Sequence, residues 1–328
     1  MSPLHSWFRD AAALGRFRQR WLGRAPVVLP PRDDAWRSIA PDFATAVDMA
    51  ASGLPFHVVA DRRYDHSADP RRLREALSSG ATVYLPQVHQ VLPRLARIIV
   101  ALRATLLGPS REESSFLFLV EGRGRRGMGL HHDGDVDSFW IQLEGRRTIT
   151  AGPPVKRGTA ADLDQRSGRG WSIRDLEPGT LFYMPPRTPH DVVCRERSLA
   201  ISLTWSRREH RLGKPVDGRL VEWDVVSGRV ADRPERSPGR WWTQVPAAAG
   251  PVNRQRQFTL WTMEGGLTLP ASAHTLARRL AQMPSFKGEP SRAAALRPLV
   301  EHGIVGDEDL PLRIVPDDLR TLDGWRYA

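Results

Sequence analysis

Cysteine is almost absent from this chain. Of its 328 residues only Cys194 carries a thiol, so no intramolecular disulfide forms and any fold must rest on its own core. A reducing compartment fits that usage. Lysine is nearly as scarce, confined to Lys156, Lys214 and Lys287. Long apolar runs are missing: nowhere do about 18 apolar residues follow one another, the length a membrane-spanning helix needs. Fixed-period repeats and low-complexity tracts are absent as well, which argues against a solenoid or a disordered tail. The segment after Met1 mixes Trp7, Phe8, Arg9 and Asp10 without the continuous apolar stretch of a secretory leader, so a cytoplasmic location is expected.

What is present suits a folded protein. Hydrophobic residues make up 41% of the chain and 11 are tryptophan, enough to fill a core. The length suggests two domains, or one with an appendage. The net charge of +11 is almost wholly arginine. Such a balance fits an acidic partner such as nucleic acid. A general bias toward Arg, Ala, Gly and Pro explains it as well, and nucleic acid is not the expected partner.

Periodicity divides the chain into three regions. Residues 11–25 read as a basic-faced helix, 26–31 as a short strand stopped by paired prolines, and 41–52 as a helix. Residues 70–79 form a helix with Leu73 and Leu77 on one face and Gly80 as its C-cap. ATVYLPQV reads as a strand, and 91–107 as the clearest amphipathic helix of the chain. From Phe116 to Trp205 the pattern changes to short strands between Gly and Pro: FLFLV, the longer SFWIQLEGRRTIT, TLFYMPP and LAISLTW. This implies a barrel or sandwich. Beyond residue 212, EWDVVSGRV and RQFTLWTM read as strands, while 271–283 and 293–302 read as helices, the latter closed by Gly303. Two helices followed by a strand pair suggest a winged-helix-like unit.

The chemistry concentrates in the middle third. GLHHDGDVDSFWIQLEGRRTIT places His131-x-Asp133 just before a strand, and GTLFYMPPRTPHDVV delivers His190 after a proline-rich turn. Two imidazoles and a carboxylate can hold one face of an octahedral iron and leave the opposite face open. Along SFWIQLEGRR, strict alternation puts Phe139, Ile141, Leu143, Gly145 and Arg147 on one face, taken as the inward one. A lone arginine on an apolar inward face calls for an anion, and guanidinium binds carboxylate in a two-pronged way. Taken singly, each piece has an ordinary reading. An H-x-D pair arises by chance, His190 fits a turn, and Arg147 has Asp162 and Asp175 as alternative partners.

These segments, together with FRQRWLGRAPVVL, LREALSSGATVYLPQVHQVLPRLARIIVAL and SLAISLTW, resemble the JmjC/cupin-like oxygenases, in particular the bacterial ribosomal-oxygenase-like branch. The likeness covers roughly residues 5–210 and is most specific from Gly127 to Trp205. It implies a mainly β fold with flanking helices (α+β): a double-stranded β-helix, the cupin/JmjC jelly-roll barrel, plus a smaller C-terminal α+β domain. The expected boundaries are 1–212 for the oxygenase domain (helical segment 1–110, barrel core 111–212) and 213–328 for the C-terminal domain. The resemblance implies Fe(II) on His131, Asp133 and His190, with 2-oxoglutarate and O2 as co-substrates and Arg147 on the distal carboxylate. Ser202, Thr204 and Tyr183 are further cofactor-site candidates. It also implies hydroxylation of a protein or peptide side chain, and a C-terminal domain used for homodimerisation or substrate presentation. Trp241, Trp242, Trp261 and Trp325 in that region read as core or as a docking surface.

One departure from the family pattern leaves a choice of register. An extra residue separates the H-x-D from the following strand, so fixing the register on the strand makes His132 the ligand and puts Gly134 in the carboxylate's place, as in related halogenases. Asp135 and Asp137 are fallback carboxylates. Three other functions compete: a tailoring oxygenase on a small natural product, a non-oxidative metal cupin, and a ligand-sensing barrel joined to a DNA-binding winged helix.

Overall fold

The computed structural model describes residues 4–307 apart from 53, 55, 68, 108–112, 123–126, 166, 207–238, 246, 263–264, 281–284 and 289–292. EWDVVSGRV, Trp325 and the C-terminal tail lie outside the described residues.

The N-terminal region alternates helices and strands. Helix α1 (Ala11–Arg20) begins where the Asp10 carboxylate accepts from Ala13 N at 2.8 Å, satisfying an N–H that has no partner within the helix. Asp42 caps α2 (Phe43–Ala51) in the same way. Asp69 caps α3 (Pro70–Ser78), whose Leu73, Ala76 and Leu77 are buried. Gly80, at φ +73°, ends that helix as its sequence position predicts. Helix α4 (Pro93–Leu102) is shorter than the 91–107 expected. It passes into a π-turn at Arg103–Leu107, where the backbone widens by one residue per turn.

Strands β1 (Val27–Leu29), β2 (Phe56–Ala60), β3 (Arg63–Ser67), β4 (Thr82–Pro86), β5 (Glu113–Val120), β6 (Val136–Glu144), β9 (Leu181–Met184) and β11 (Ser198–Ser206) form one antiparallel sheet in the order β1-β9-β6-β11-β5-β4-β2-β3. Strands β7 (Arg147–Ala151), β8 (Ser172–Leu176) and β10 (His190–Cys194) form a second, in the order β10-β7-β8. This is the mainly β, jelly-roll-type architecture that the sequence implies.

Side chains alternate across the large sheet, and its two faces differ in kind. Val83, Leu85, Leu117, Leu119, Phe139, Ile141, Leu181, Tyr183, Leu199, Ile201 and Leu203 join the core shared with helices α1–α4. Burying each such side chain contributes about 1.5–3 kcal/mol before entropy is counted. The opposite face looks toward the small sheet. There Trp140, Phe182 and Met184 pack with Ile149, Ala151 and Leu176.

Two expectations need correction here. SFWIQLEGRRTIT is not one strand: it folds back at Gly145 (φ +64°), so β6 and β7 lie in different sheets. The Phe139/Ile141/Leu143 face is therefore the helix-facing side, not the barrel interior. Alternation counted through a turn loses its meaning, because the chain reverses there.

The C-terminal region adds β12 (Arg240–Thr243), β13 (Ala247–Ala249), β14 (Gln257–Thr262), β15 (Gly265–Pro270), α5 (His274–Leu280), β16 (Ser285–Lys287), α6 (Ala293–Glu301) and β17 (Val305–Gly306). Two three-stranded sheets, β16-β12-β17 and β13-β14-β15, enclose their own core around Phe258, Leu260, Leu269, Leu276 and Leu299. Trp242 is buried, and Trp241 packs at the edge of this core. Trp261 instead packs against the main core, and the Arg278 guanidinium donates to the Ala51 carbonyl at the end of α2. Among the described residues no helix is long and apolar enough to cross a membrane.

The β6–β7 turn is a sensitive point. A Cβ on Gly145 would sit 1.9 Å from the Arg197 carbonyl oxygen, on top of the unfavourable φ. Gly145→Ala is expected to lower the unfolding free energy by about 3 kcal/mol, read as a shifted midpoint in urea denaturation.

Candidate metal centre

Three ligand-type side chains meet at one end of the space between the sheets. His131 and Asp133 come from the loop before β6, and His190 is the first residue of β10. One donor atom from each lies within 4.8 Å of the others. His131 Nε2 stands 3.4 Å from Asp133 Oδ1, His190 Nε2 stands 4.0 Å from Asp133 Oδ2, and the imidazole centroids are 4.5 Å apart.

Backbone pairing explains the convergence. His131 N donates to His190 O at 3.1 Å, and His190 N donates to His131 O at 2.8 Å. This reciprocal pair is a single antiparallel bridge that joins His131, outside any strand, to the start of β10. The imidazoles are set by a matching device. Nδ1 of His131 donates to the Gly129 carbonyl at 2.9 Å, and Nδ1 of His190 donates to the Thr188 carbonyl at 3.0 Å. With Nδ1 protonated, each Nε2 lone pair is directed at the common point. Trp140 meets the His190 ring edge-on at 6.0 Å.

The electrostatics follow from this clustering. Burial alone would raise the Asp133 carboxyl, but His190 and the hydrogen bond and charge of His131 hold it at about 2. One-third of its side chain stays open to solvent, on the side a ligand would approach. Burial pushes His131 down, yet the hydrogen bond and charge of Asp133 bring it above its usual value. His190 stays below its usual value, because burial outweighs the pull of Asp133.

The alternative register does not fit. His132 turns away, its Nε2 against the Thr159 carbonyl at 3.0 Å and its Nδ1 accepting from Gly134 N at 3.1 Å. Asp135 is engaged by Arg187 and Arg157. Asp137 is buried on the helix-facing side of β6, accepting from Tyr183 Oη at 2.6 Å. Neither fallback carboxylate faces the cluster.

The triad opens into a cavity of about 380 Å³ lined by Tyr64, Tyr84, Phe116, Phe118, Trp140 and Arg147, among others. Arg147 is 2% exposed. Its Nε donates to Ser198 Oγ at 2.8 Å, and an Nη contacts the Phe118 carbonyl at 3.4 Å. Burial lowers its pKa, yet a guanidinium remains charged. The two alternative acids are committed elsewhere, Asp175 to the Thr148 hydroxyl and Asp162 toward Arg62. Arg147 lines the cavity from β7 of the small sheet, where it pairs with Cys194 of β10.

Ser202 and Thr204 also line the cavity. Tyr183 does not: its hydroxyl also accepts from Gly23 N at 2.7 Å, and its ring packs on Phe17 and Phe139 in the helix-side core. The sequence reading missed Ser198, which steadies Arg147, and Tyr64 and Tyr84 on the first hairpin and β4. It also missed the Gly129 and Thr188 carbonyls. A carbonyl has no residue-type signature, so only tertiary structure reveals that role.

Residues 106–211 match the family model of the JmjC domain. Among solved structures, the chain is similar to the Escherichia coli ribosomal oxygenase YcfD at 16% identity and a TM-score of 0.49, covering 89% of this chain and 97% of that one. The same protein in complex with cobalt and 2-oxoglutarate gives 16%, 0.47 and the same coverage. SnoN, a non-heme alpha-ketoglutarate-dependent epimerase from nogalamycin biosynthesis, gives 15% and 0.41 over 65% of this chain and 98% of that one. No curated protein matches the chain.

Protons compete with a metal for His131. Because its pKa lies above the ordinary histidine value, affinity falls on acidification from above that value downward, while Asp133 stays ionised throughout. Between about pH 8 and about pH 6 the apparent cobalt dissociation constant is expected to rise at least about fourfold, read by calorimetric titration.

Proposed function

We propose, from the match of residues 106–211 to the JmjC domain model, that this chain is an Fe(II)- and 2-oxoglutarate-dependent oxygenase that hydroxylates a side chain of a protein or peptide. One observation carries the reading. A two-histidine, one-carboxylate cluster faces the same cavity as a buried arginine that has no acidic partner among the described residues.

The residues present fit the cofactors. Two neutral imidazoles and an ionised carboxylate suit a borderline metal such as iron(II) and leave the cavity side open. A fixed cation at the other end suits an elongated acid. His190 and Cys194 share the cavity-facing side of β10, and Arg147 pairs with Cys194. Four residues of strand, about 13 Å of backbone, therefore separate the level of the metal ligand from that of the guanidinium. A short monoacid would leave Arg147 unsatisfied.

When bound, iron(II) and 2-oxoglutarate supply the oxidising chemistry: substrate C–H, O2 and keto acid become alcohol, succinate and CO2. The protein's role is placement. His131, Asp133 and His190 fix the metal, and Arg147, steadied by Ser198, fixes the far carboxylate. Ser202 and Thr204 offer hydroxyls on the same wall. The rings of Phe116, Phe118 and Trp140 limit water around the reacting centre.

Cavity size favours a side chain as substrate. At about 380 Å³ the space is near the small end of ligand sites, roughly 300–1,000 Å³. A five-carbon keto acid leaves room for the end of one side chain rather than a whole polycyclic molecule. On this reading residues 1–212 form the oxygenase domain, and 213–328 present the substrate or pair two copies.

Succinate formation from 2-oxoglutarate, with iron(II) and ascorbate, is expected for the parent and absent from Asp133→Ala. Unchanged turnover in that variant defeats the assignment. Arg147→Met is expected to raise the KM for 2-oxoglutarate about 10–100-fold, the value of a lost charge-assisted contact. A gain of one oxygen on a peptide, read by mass spectrometry, separates the hydroxylase reading from a tailoring reaction on a free small molecule.

A further inference from the structure

The triad depends on two loops meeting: the loop carrying His131 and Asp133, and the turn Pro185–Pro189 that carries His190. Arg187 lies in that turn and has φ +59°, a left-handed conformation that favours glycine and is unusual for a long side chain. A strained backbone survives only where its surroundings hold it. Around Arg187 they do so from three sides. Its backbone N donates to the Gly134 carbonyl at 2.8 Å, reaching the other ligand loop. Its Nε donates to the Val155 carbonyl at 3.0 Å, and Val155 N donates back to the Arg187 carbonyl at 2.9 Å. Its Nη1 pairs with Asp135, two residues beyond Asp133.

One residue thus ties together the His190 turn, the His131/Asp133 loop and the segment after β7. That segment grips the same ligand loop a second time, through His132 N to the Ala161 carbonyl at 3.1 Å and His132 Nε2 against the Thr159 carbonyl. None of these contacts involves a metal-facing atom.

We infer that Arg187, with Asp135 as its partner, is a positioning residue that holds the two ligand loops at metal-binding distance. A guanidinium suits the task because it presents several donors in a fixed fork, one to a carbonyl and one to a carboxylate. Lysine has a single nitrogen and does not serve both. Groups that orient metal ligands without touching the metal typically cost 10–100-fold in affinity when removed. The inference rests on the metal reading above, so its test begins with metal binding.

The experiment is a cobalt(II) titration of the full chain by calorimetry and by visible absorption of the bound ion, with thermal melts of the metal-free protein alongside. Arg187→Gly removes the side chain and accepts the backbone angle without strain. Asp135→Asn and Arg187→Lys probe the pairing without a backbone change, and remain informative should the glycine variant fold poorly. Arg297→Ala, which breaks an exposed pair with Glu301, is the control. The expected result is a rise of about 10–100-fold in the cobalt dissociation constant for Arg187→Gly, with an altered absorption band. A comparable loss is expected for Asp135→Asn, partial recovery in Arg187→Lys, and a double variant no worse than the poorer single. Dissociation constants within about threefold of the parent, or lowered melting midpoints with affinity unchanged, overturn the inference. Failure of the parent chain to bind cobalt at all is a different result: it removes the metal reading itself.

Discussion

Everything at the site hangs on one rung of backbone pairing. His131 and His190 exchange main-chain hydrogen bonds in both directions, at 2.8 and 3.1 Å, although His131 belongs to no strand. This rung brings two imidazoles from distant stretches of the chain side by side. The i−2 carbonyls of Gly129 and Thr188 then orient both rings alike. Asp133 needs only to follow along the same loop. The cluster is thus largely a consequence of main-chain geometry, with residue type deciding its chemistry.

The two faces of the large sheet divide the work of stability and chemistry. Branched aliphatic residues of β4, β5, β6, β9 and β11 fill the side against the helices. The other side carries aromatic rings and hydroxyls and faces the triad and the buried arginine of the small sheet. A charge as deeply buried as Arg147 is costly unless something pairs with it. Here its hydrogen bonds go to Ser198 and a carbonyl, which orient it without neutralising it. Such an arrangement is favourable when an anion completes it.

Much of this was legible in the residues. The Leu73/Leu77 spacing, Gly80 and Gly303 mark helices from local signals. The H-x-D and the histidine after MPPRTP stand out because their residue types are chemically distinctive. The errors share a cause, which is that local patterns do not see sheet identity. SFWIQLEGRRTIT reads as one alternating run, yet Gly145 reverses it, and Arg147 reaches the cavity from another sheet. Tyr183 looked like a pocket residue, but its parity on β9 turns it toward Phe17 and Asp137. His131 and His132 are adjacent and identical in type. Only the Thr159 carbonyl, far away in sequence, shows which way His132 turns.

By itself, the sequence determined the classes of element and the ligand inventory, because these follow from side-chain chemistry and short-range periodicity. The tertiary structure alone decided which carboxylate joins the histidines, which face of each strand lines the cavity, and what holds the two ligand loops together. Those outcomes depend on backbone hydrogen bonds between residues far apart in the chain, and such bonds are open to every residue type and announced by none.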